Sequence, residues 1–331
     1  MTDATALSTA LATESLAREE GSGAPKHLLR VNDLTFEVLA GLLALARKMK
    51  QEPREWSQSL QGAVLGCVFE KPSTRTRVSL ATAAHRLGMT AIVLNRQEMQ
   101  LGHGESLEDT TRVLSSYLDA ISVRTFEHSI VERVAAVSGI PVINALTNTH
   151  HPCQSLADLL TLQEHFGSLS GLRATYLGDG KSNTCNSFLE ACAATGMHVT
   201  LASPLGYETD EEVLADARRV MADTGGSVTL SSDPPSAVRE AQAVYAEIWA
   251  PMDKKEEHAQ RAEDLAAYRV DGALLSHAAP DTMVLHCLPA VRGEEITSEV
   301  LDGPQSLVWR QAANRLPTTQ ALLHTLVGAD G

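Results

Sequence analysis

From residue 60 onward the apolar positions of this chain alternate between two periods. Short runs rich in β-branched residues, AVLGCVF (63–69), TAIVLN (90–95), AISVR (120–124) and PVINA (141–145), give way to stretches with helical spacing such as SLEDTTRVLSSYL (106–118) and HSIVERVAAVSG (128–139). A long helix is predicted over 153–167, in HPCQSLADLLTLQEHF, and then the alternation restarts. The second series is RATYLGD (173–179), HVTLASP (198–204), SVTLSS (227–232), AVYAEIW (243–249) and MVLHCL (283–288). Strands alternating with helices predict parallel sheets covered on both faces. Two series predict an α/β protein of two doubly wound parallel-sheet domains, over 27–150 and 151–315, joined by bridging helices. The final stretch, LPTTQALLHTLVGA, reads as an amphipathic helix within 316–331 that packs back on the first domain. Residues 1–26, rich in Ala, Thr, Glu and Gly, read as a flexible tail.

Composition narrows this picture. At 331 residues the chain exceeds the usual single-core size, in keeping with two domains. No apolar run has membrane-spanning length, and the N-terminus lacks the charged and apolar regions of a secretory signal. With 27 basic against 41 acidic residues the net charge is -14. With no basic stripe, that balance argues against nucleic acid as a partner. The five cysteines (Cys67, Cys153, Cys185, Cys192, Cys287) show neither disulfide nor zinc spacing, and a reducing cytoplasm is the simplest home for them.

Against that acidic background FEKPSTRTRVS (69–79) concentrates Lys71, Arg75, Arg77 and four hydroxyls at the mouth of a predicted helix. Ligands of doubly wound sheets sit beyond the carboxyl ends of the strands. Five strand ends carry polar residues there: STRTR, VRTF, GDGKSN, EIWAPM and HCLP. A helix N-terminus offers unpaired N–H groups and partial positive charge, Ser73, Thr74 and Thr76 add hydroxyls, and Arg75 adds a planar fork. Together they read as an anion site. The plainer reading is a Ser N-cap followed by solvated arginines. His151 beside Pro152 has an equally plain reading as a helix cap, and Cys287 as a buried strand cysteine.

FEKPSTRTR, HPCQSLADLL, HCLPAVRGEE and NRL, in this order, resemble the transcarbamylase family, in particular its ornithine carbamoyltransferase branch. The resemblance runs from about Lys26 to the end. The aspartate branch shares STRTR but typically lacks HCLP. The resemblance implies a carbamoyl-phosphate domain and an amino-acid domain closing over a cleft, in a homotrimer or a multiple of trimers with shared active sites. It places carbamoyl phosphate on Ser73, Thr74, Arg75, Thr76, Arg124, His151, Gln154, Cys287, Leu288 and Arg315, with Gln100 reaching a neighbouring subunit's site. The implied reaction is attack by a neutral amine on the carbamoyl carbon, expelling phosphate, with no metal or organic cofactor. Arg75 and Arg124 then serve the phosphate, and Thr76, Arg124, His151 and Gln154 the carbonyl oxygen. Arg315 supplies a further cation, and the Cys287 turn contacts the amine.

The amine pocket departs from the family pattern. Asn183 matches an asparagine that holds the backbone end of the amino acid, while Ser182 replaces a second one. In EIWAPMD, Glu247 stands for the usual Asp and Pro251 for Ser, while Met252 is retained and Asp253 stands for Gly. Arg310 and Ala313 also stand where acidic residues are usual. Glu247 is expected to carry its carboxylate one methylene further into the pocket. Two readings follow: drift within an ornithine enzyme, or a pocket for a shorter diamino acid such as 2,3-diaminopropionate. A dehydrogenase is disfavoured because GDG lacks the rest of the G-x-G-x-x-G signature. A non-catalytic paralogue stays open, discriminated only by the completeness of the anion set.

Overall fold

The computed structural model describes residues 25–95, 99, 104–250 and 255–328. The expected tail falls almost wholly outside them, as do Gln100, Pro251, Met252 and Asp253. All nine strand runs form strands: β1 (Val64–Phe69), β2 (Thr90–Asn95), β3 (Ala120–Arg124), β4 (Val142–Leu146), β5 (Arg173–Leu177), β6 (His198–Ala202), β7 (Ser227–Ser231), β8 (Ala243–Ala246) and β9 (Met283–His286). They make two sheets, ordered β2-β1-β3-β4 and β7-β6-β5-β8-β9. Every pairing between strands is parallel. The principal helices are α1 (Phe36–Gln51), α2 (Arg75–Arg86), α3 (Leu107–Ser115), α4 (His128–Val137), α5 (Pro152–Phe166), α6 (Asn183–Ala194), α7 (Glu211–Thr224), α8 (His258–Leu265) and α9 (Val308–Val327).

Alternation within a strand sends its side chains to two covered faces. Leu65, Cys67 and Phe69 of β1 join α1 and α2 in one core, while Val64 and Val68 meet Ile121, Val123 and Val134 on the other face. The larger core continues through α5 and α6 to Tyr176, Leu201 and Tyr245 of the second sheet. The opposite face of that sheet packs on Val270, Leu275, Leu301 and Val308. Helix α5 starts at Pro152, where a missing N–H costs nothing, and is buried from Pro152 to Leu162. Its interior polar residues therefore need partners. Helix α9 is continuous from Val308 to Val327, so the expected division at 315/316 falls inside one helix. It packs on α1, α2 and α5, and its N-terminal turns touch β9.

Strand order locates the crevices. In the first sheet the winding reverses between β1 and β3, and in the second between β5 and β8. Ligands of doubly wound sheets bind at such switch points. The loop into α2 and Arg124 flank the first, and the Gly178–Ser182 turn and Glu247 flank the second.

Candidate active site

Of the cations in FEKPSTRTR, two are committed to structure. Lys71 donates to Asn148 and lies 4.2 Å from the centre of the Phe126 ring. Arg77 donates to Asn95 Oδ1 (2.8 Å) across the face of Phe69. Arg75 instead opens α2, whose first turn holds no acidic residue. Ser73 Oγ accepts from the Thr76 N–H (3.3 Å), which gives the capping reading of this serine its hydrogen bond. Arg124, at the end of β3, and Arg315, on α9, complete a cluster of guanidiniums.

Among the described residues that cluster faces little negative charge. Burial, then Arg315 and Arg75, push the Arg124 guanidinium down to about 10. Burial also lowers Arg75 and Arg315. Burial and the same three arginines hold His151 well below its usual range, so its imidazole is neutral. Arg315 Nη2 donates to Thr76 Oγ1 (3.3 Å), and Arg315 Nη1 lies 3.5 Å from His151 Nε2. Because a guanidinium only donates, the His151 proton belongs on Nδ1. Among the described residues, His151 Nδ1, Arg124 Nε and Arg315 Nε are buried without partners. Such an arrangement suits a multiply charged anion whose oxygens supply the missing acceptors.

Gln154 is placed here too, but not as the donor it was expected to be. Its Nε2 donates to Asp158 Oδ1 (2.8 Å) and its Oε1 accepts from Arg315 Nη1 (2.7 Å). A carboxylate only accepts and a guanidinium only donates, so the amide orientation is determined. The atom turned to the arginine cluster is an acceptor and has no proton for a carbonyl oxygen.

At the end of β9 the HCLP turn is held by its own motif. His286 Nδ1 accepts from the Leu288 N–H (2.8 Å), which leaves Nε2–H to donate to Glu295 (3.0 Å). Glu295 also accepts from the Val291 N–H (2.6 Å). Leu288 sits at φ 55°, a left-handed conformation that a leucine adopts only when its surroundings impose it. Cys287 is partly exposed. Burial and the neighbouring Glu247 and Asp158 raise its thiol well above the usual range, so it is protonated and poorly nucleophilic. Its electrostatic neighbours include Arg75 of the arginine cluster and Glu247 beside the second switch point.

Glu247 is held by hydroxyls. Those of Tyr176 and Ser182 donate to one of its oxygens, and Thr184 also bonds to it. Burial raises this carboxyl to about 7. Asn183, which opens α6, donates through Nδ2 to the Thr147 carbonyl (2.5 Å).

A family model for the aspartate/ornithine carbamoyltransferase carbamoyl-P binding domain matches residues 26–164, and one for its Asp/Orn binding domain matches 170–326. The chain belongs to the aspartate/ornithine carbamoyltransferase family. The ornithine carbamoyltransferase of Methanoculleus marisnigri is 45% identical over 91% of this chain and 97% of its own length. That of Acidothermus cellulolyticus is 47% identical over 92% and 98%. Among solved structures, the ornithine carbamoyltransferase from Pyrococcus furiosus superposes with a TM-score of 0.89 at 42% identity, covering 93% of this chain and 99% of that one.

Several residues of this carbamoyltransferase that hold the loops around the candidate site escaped the sequence reading. Ser187 Oγ accepts from the His151 N–H (2.7 Å), Asn186 Nδ2 donates to the Thr149 carbonyl (3.1 Å), and Glu190 meets His150 (3.2 Å) and the Val31 N–H (3.0 Å). They make the start of α6 a grip on the loop that carries His151. Arg261 of α8 donates to the Asp179 carboxylate and the Trp249 carbonyl, tying the β5 turn to the β8 turn. Helical spacing carried a usable signal for one pair: Gln154 and Asp158 stand four residues apart, on one face.

Proposed function

We propose that this enzyme transfers the carbamoyl group of carbamoyl phosphate to the terminal amine of ornithine, releasing phosphate and citrulline. One observation carries the reading: Arg75, Arg124 and Arg315 converge with His151 at one switch point, while the Cys287 turn connects that cluster to Glu247 at the other. The names of its relatives support ornithine as the amine. In this mechanism the neutral amine nitrogen attacks the carbamoyl carbon, and the bond from that carbon to the phosphate oxygen breaks. Its electron pair leaves with phosphate, and the amine loses a proton. Arg75, Arg124, Arg315 and the N–H groups opening α2 neutralise the departing phosphate, and Thr76, Arg124 and His151 Nδ1–H stabilise the carbonyl oxygen. Backbone carbonyls of Cys287 and Leu288 orient the amine, Glu247 pairs the α-ammonium, and Asn183 borders the amino acid's backbone end. The proposal includes a homotrimer in which Gln100 completes a neighbour's site, with Pro251 and Met252 lining the amine pocket. Measuring ureido product from carbamoyl phosphate with 2,3-diaminopropionate, 2,4-diaminobutyrate, ornithine, lysine and putrescine tests it. Ornithine is expected to give the highest kcat/KM by at least tenfold; preference for a shorter diamino acid would replace ornithine in the reading, and no product from any amine would remove it.

A further inference from the structure

The transfer mechanism leaves one buried ionisable group without a task. Asp158 lies on α5 one turn beyond Gln154, fully enclosed, and burial raises its carboxyl to about 6. Three elements donate to it. Gln154 Nε2 (2.8 Å) and Gln311 Nε2 of α9 (2.6 Å) share Oδ1, and the Tyr245 hydroxyl of β8 reaches Oδ2 (3.2 Å). A carboxylate so deep in an apolar core is costly, and its donors are neutral. Core packing alone would be met by a leucine of similar shape.

What the carboxylate does that leucine cannot is to orient two amides. With Nε2 of Gln154 drawn to Asp158, Oε1 must face Arg315 and the anion cluster. With Nε2 of Gln311 drawn to the same oxygen, its Oε1 must face the other way, where it accepts from the His286 N–H (2.9 Å) at the root of the Cys287 turn. One acceptor-only group therefore sets an amide on each side of the cleft. Reversing either amide would place its N–H₂ against donors, Arg315 in one case and the His286 N–H in the other.

We infer that Asp158 is a positioning residue that holds Gln154 with Oε1 toward the site, as the acceptor for the amino group of the carbamoyl moiety, and that through Gln311 it fixes the turn facing the amine. This role rests on the carbamoyl-phosphate reading above. It explains how a pocket lined by phosphate donors distinguishes carbamoyl phosphate from bare phosphate: only the former brings an amino group that needs an acceptor, and an unpaired buried polar group discriminates strongly.

The test uses Asp158→Asn, which keeps one acceptor oxygen for both amides, and Asp158→Leu, which keeps the shape and removes both oxygens. The readouts are kcat/KM for carbamoyl phosphate, its Kd, and the Kd of inorganic phosphate. Asp158→Leu is expected to lower kcat/KM and affinity for carbamoyl phosphate by about 10- to 100-fold. Asp158→Asn should cost less than about fivefold, and phosphate affinity should stay within about threefold in both, since the arginines are untouched. In a Gln154→Leu background, where no Gln154 amide remains to be oriented and Gln311 Nε2 keeps the Tyr245 hydroxyl as acceptor (3.1 Å), adding Asp158→Leu should cost carbamoyl phosphate binding nothing further. Equal losses for phosphate and carbamoyl phosphate, a silent Asp158→Leu, or full additivity with Gln154→Leu would each overturn the assignment. The wild-type enzyme is the arm that carries the functional reading: without ureido product from it that reading falls and the role of Asp158 with it, whereas an active wild type makes the variants bear on Asp158 alone.

Discussion

Glu247→Gln separates two consequences of one buried carboxyl. The residue is 7% exposed, its partners are the hydroxyls of Tyr176, Ser182 and Thr184, and burial raises it from an ordinary 4.5 to about 7. An acid whose folded pKa is raised binds its proton more tightly in the folded state. Its favourable contribution is therefore present at low pH and is lost as pH rises between about 4.5 and 7. At about 1.4 kcal/mol per tenfold change in proton affinity, ionising it costs on the order of 3 kcal/mol of stability by pH 8.5. Glutamine keeps an acceptor for Tyr176 and Ser182 and never ionises. Urea denaturation at fixed protein concentration, followed by tryptophan fluorescence across pH 5 to 8.5, should show the variant gaining on wild type by about that amount as pH rises. Activity should move the opposite way. In the proposed mechanism an ionised Glu247 pairs the substrate ammonium, so kcat/KM for ornithine in wild type should rise through pH 7. Above that, the rise continues only as the reacting amine loses its proton, toward about 10.4. Glu247→Gln should lose the lower limb and most of its ornithine affinity. A stability difference that does not change with pH, or an unchanged ornithine profile, refutes the reasoning.

Arg75→Lys keeps a cation but loses the paired donors, so its Kd for carbamoyl phosphate should rise at least tenfold with the thermal melt unchanged; near-normal binding would take Arg75 out of the site. Arg261→Met leaves Asp179 buried without its guanidinium, which should destabilise by about 3–5 kcal/mol in urea denaturation; Asp179→Asn in the same chain should restore part of the loss. Mixing inactive Gln100→Ala subunits with inactive Arg75→Ala subunits should restore some activity if Gln100 completes a neighbour's site. No recovery after verified subunit exchange would mean self-contained sites.

The nine strands and the bridging helix were legible in one dimension, because the strand period and helical spacing follow from backbone geometry and need only the residues at hand. The loop opening α2 was legible as a candidate anion site for the same reason: hydroxyls and arginines at a helix N-terminus act locally. HCLPAVRGEE was legible as a pattern, but not as a device in which His286 and Glu295 hold the Leu288 turn. Tertiary structure decided which cations meet. Two of the three in the opening motif bond elsewhere, and the guanidinium that replaces them, on Arg315, comes from 239 residues beyond Thr76. It decided also that Gln154 offers oxygen rather than nitrogen, and which hydroxyls hold the Glu247 carboxylate. Both outcomes depend on partners brought in by other elements, Asp158 with Gln311 in one case and Tyr176 with Ser182 in the other. An amide or a carboxylate has no preferred direction of its own. It takes the one that satisfies every buried donor and acceptor around it, and which groups those are is known only once the chain has folded.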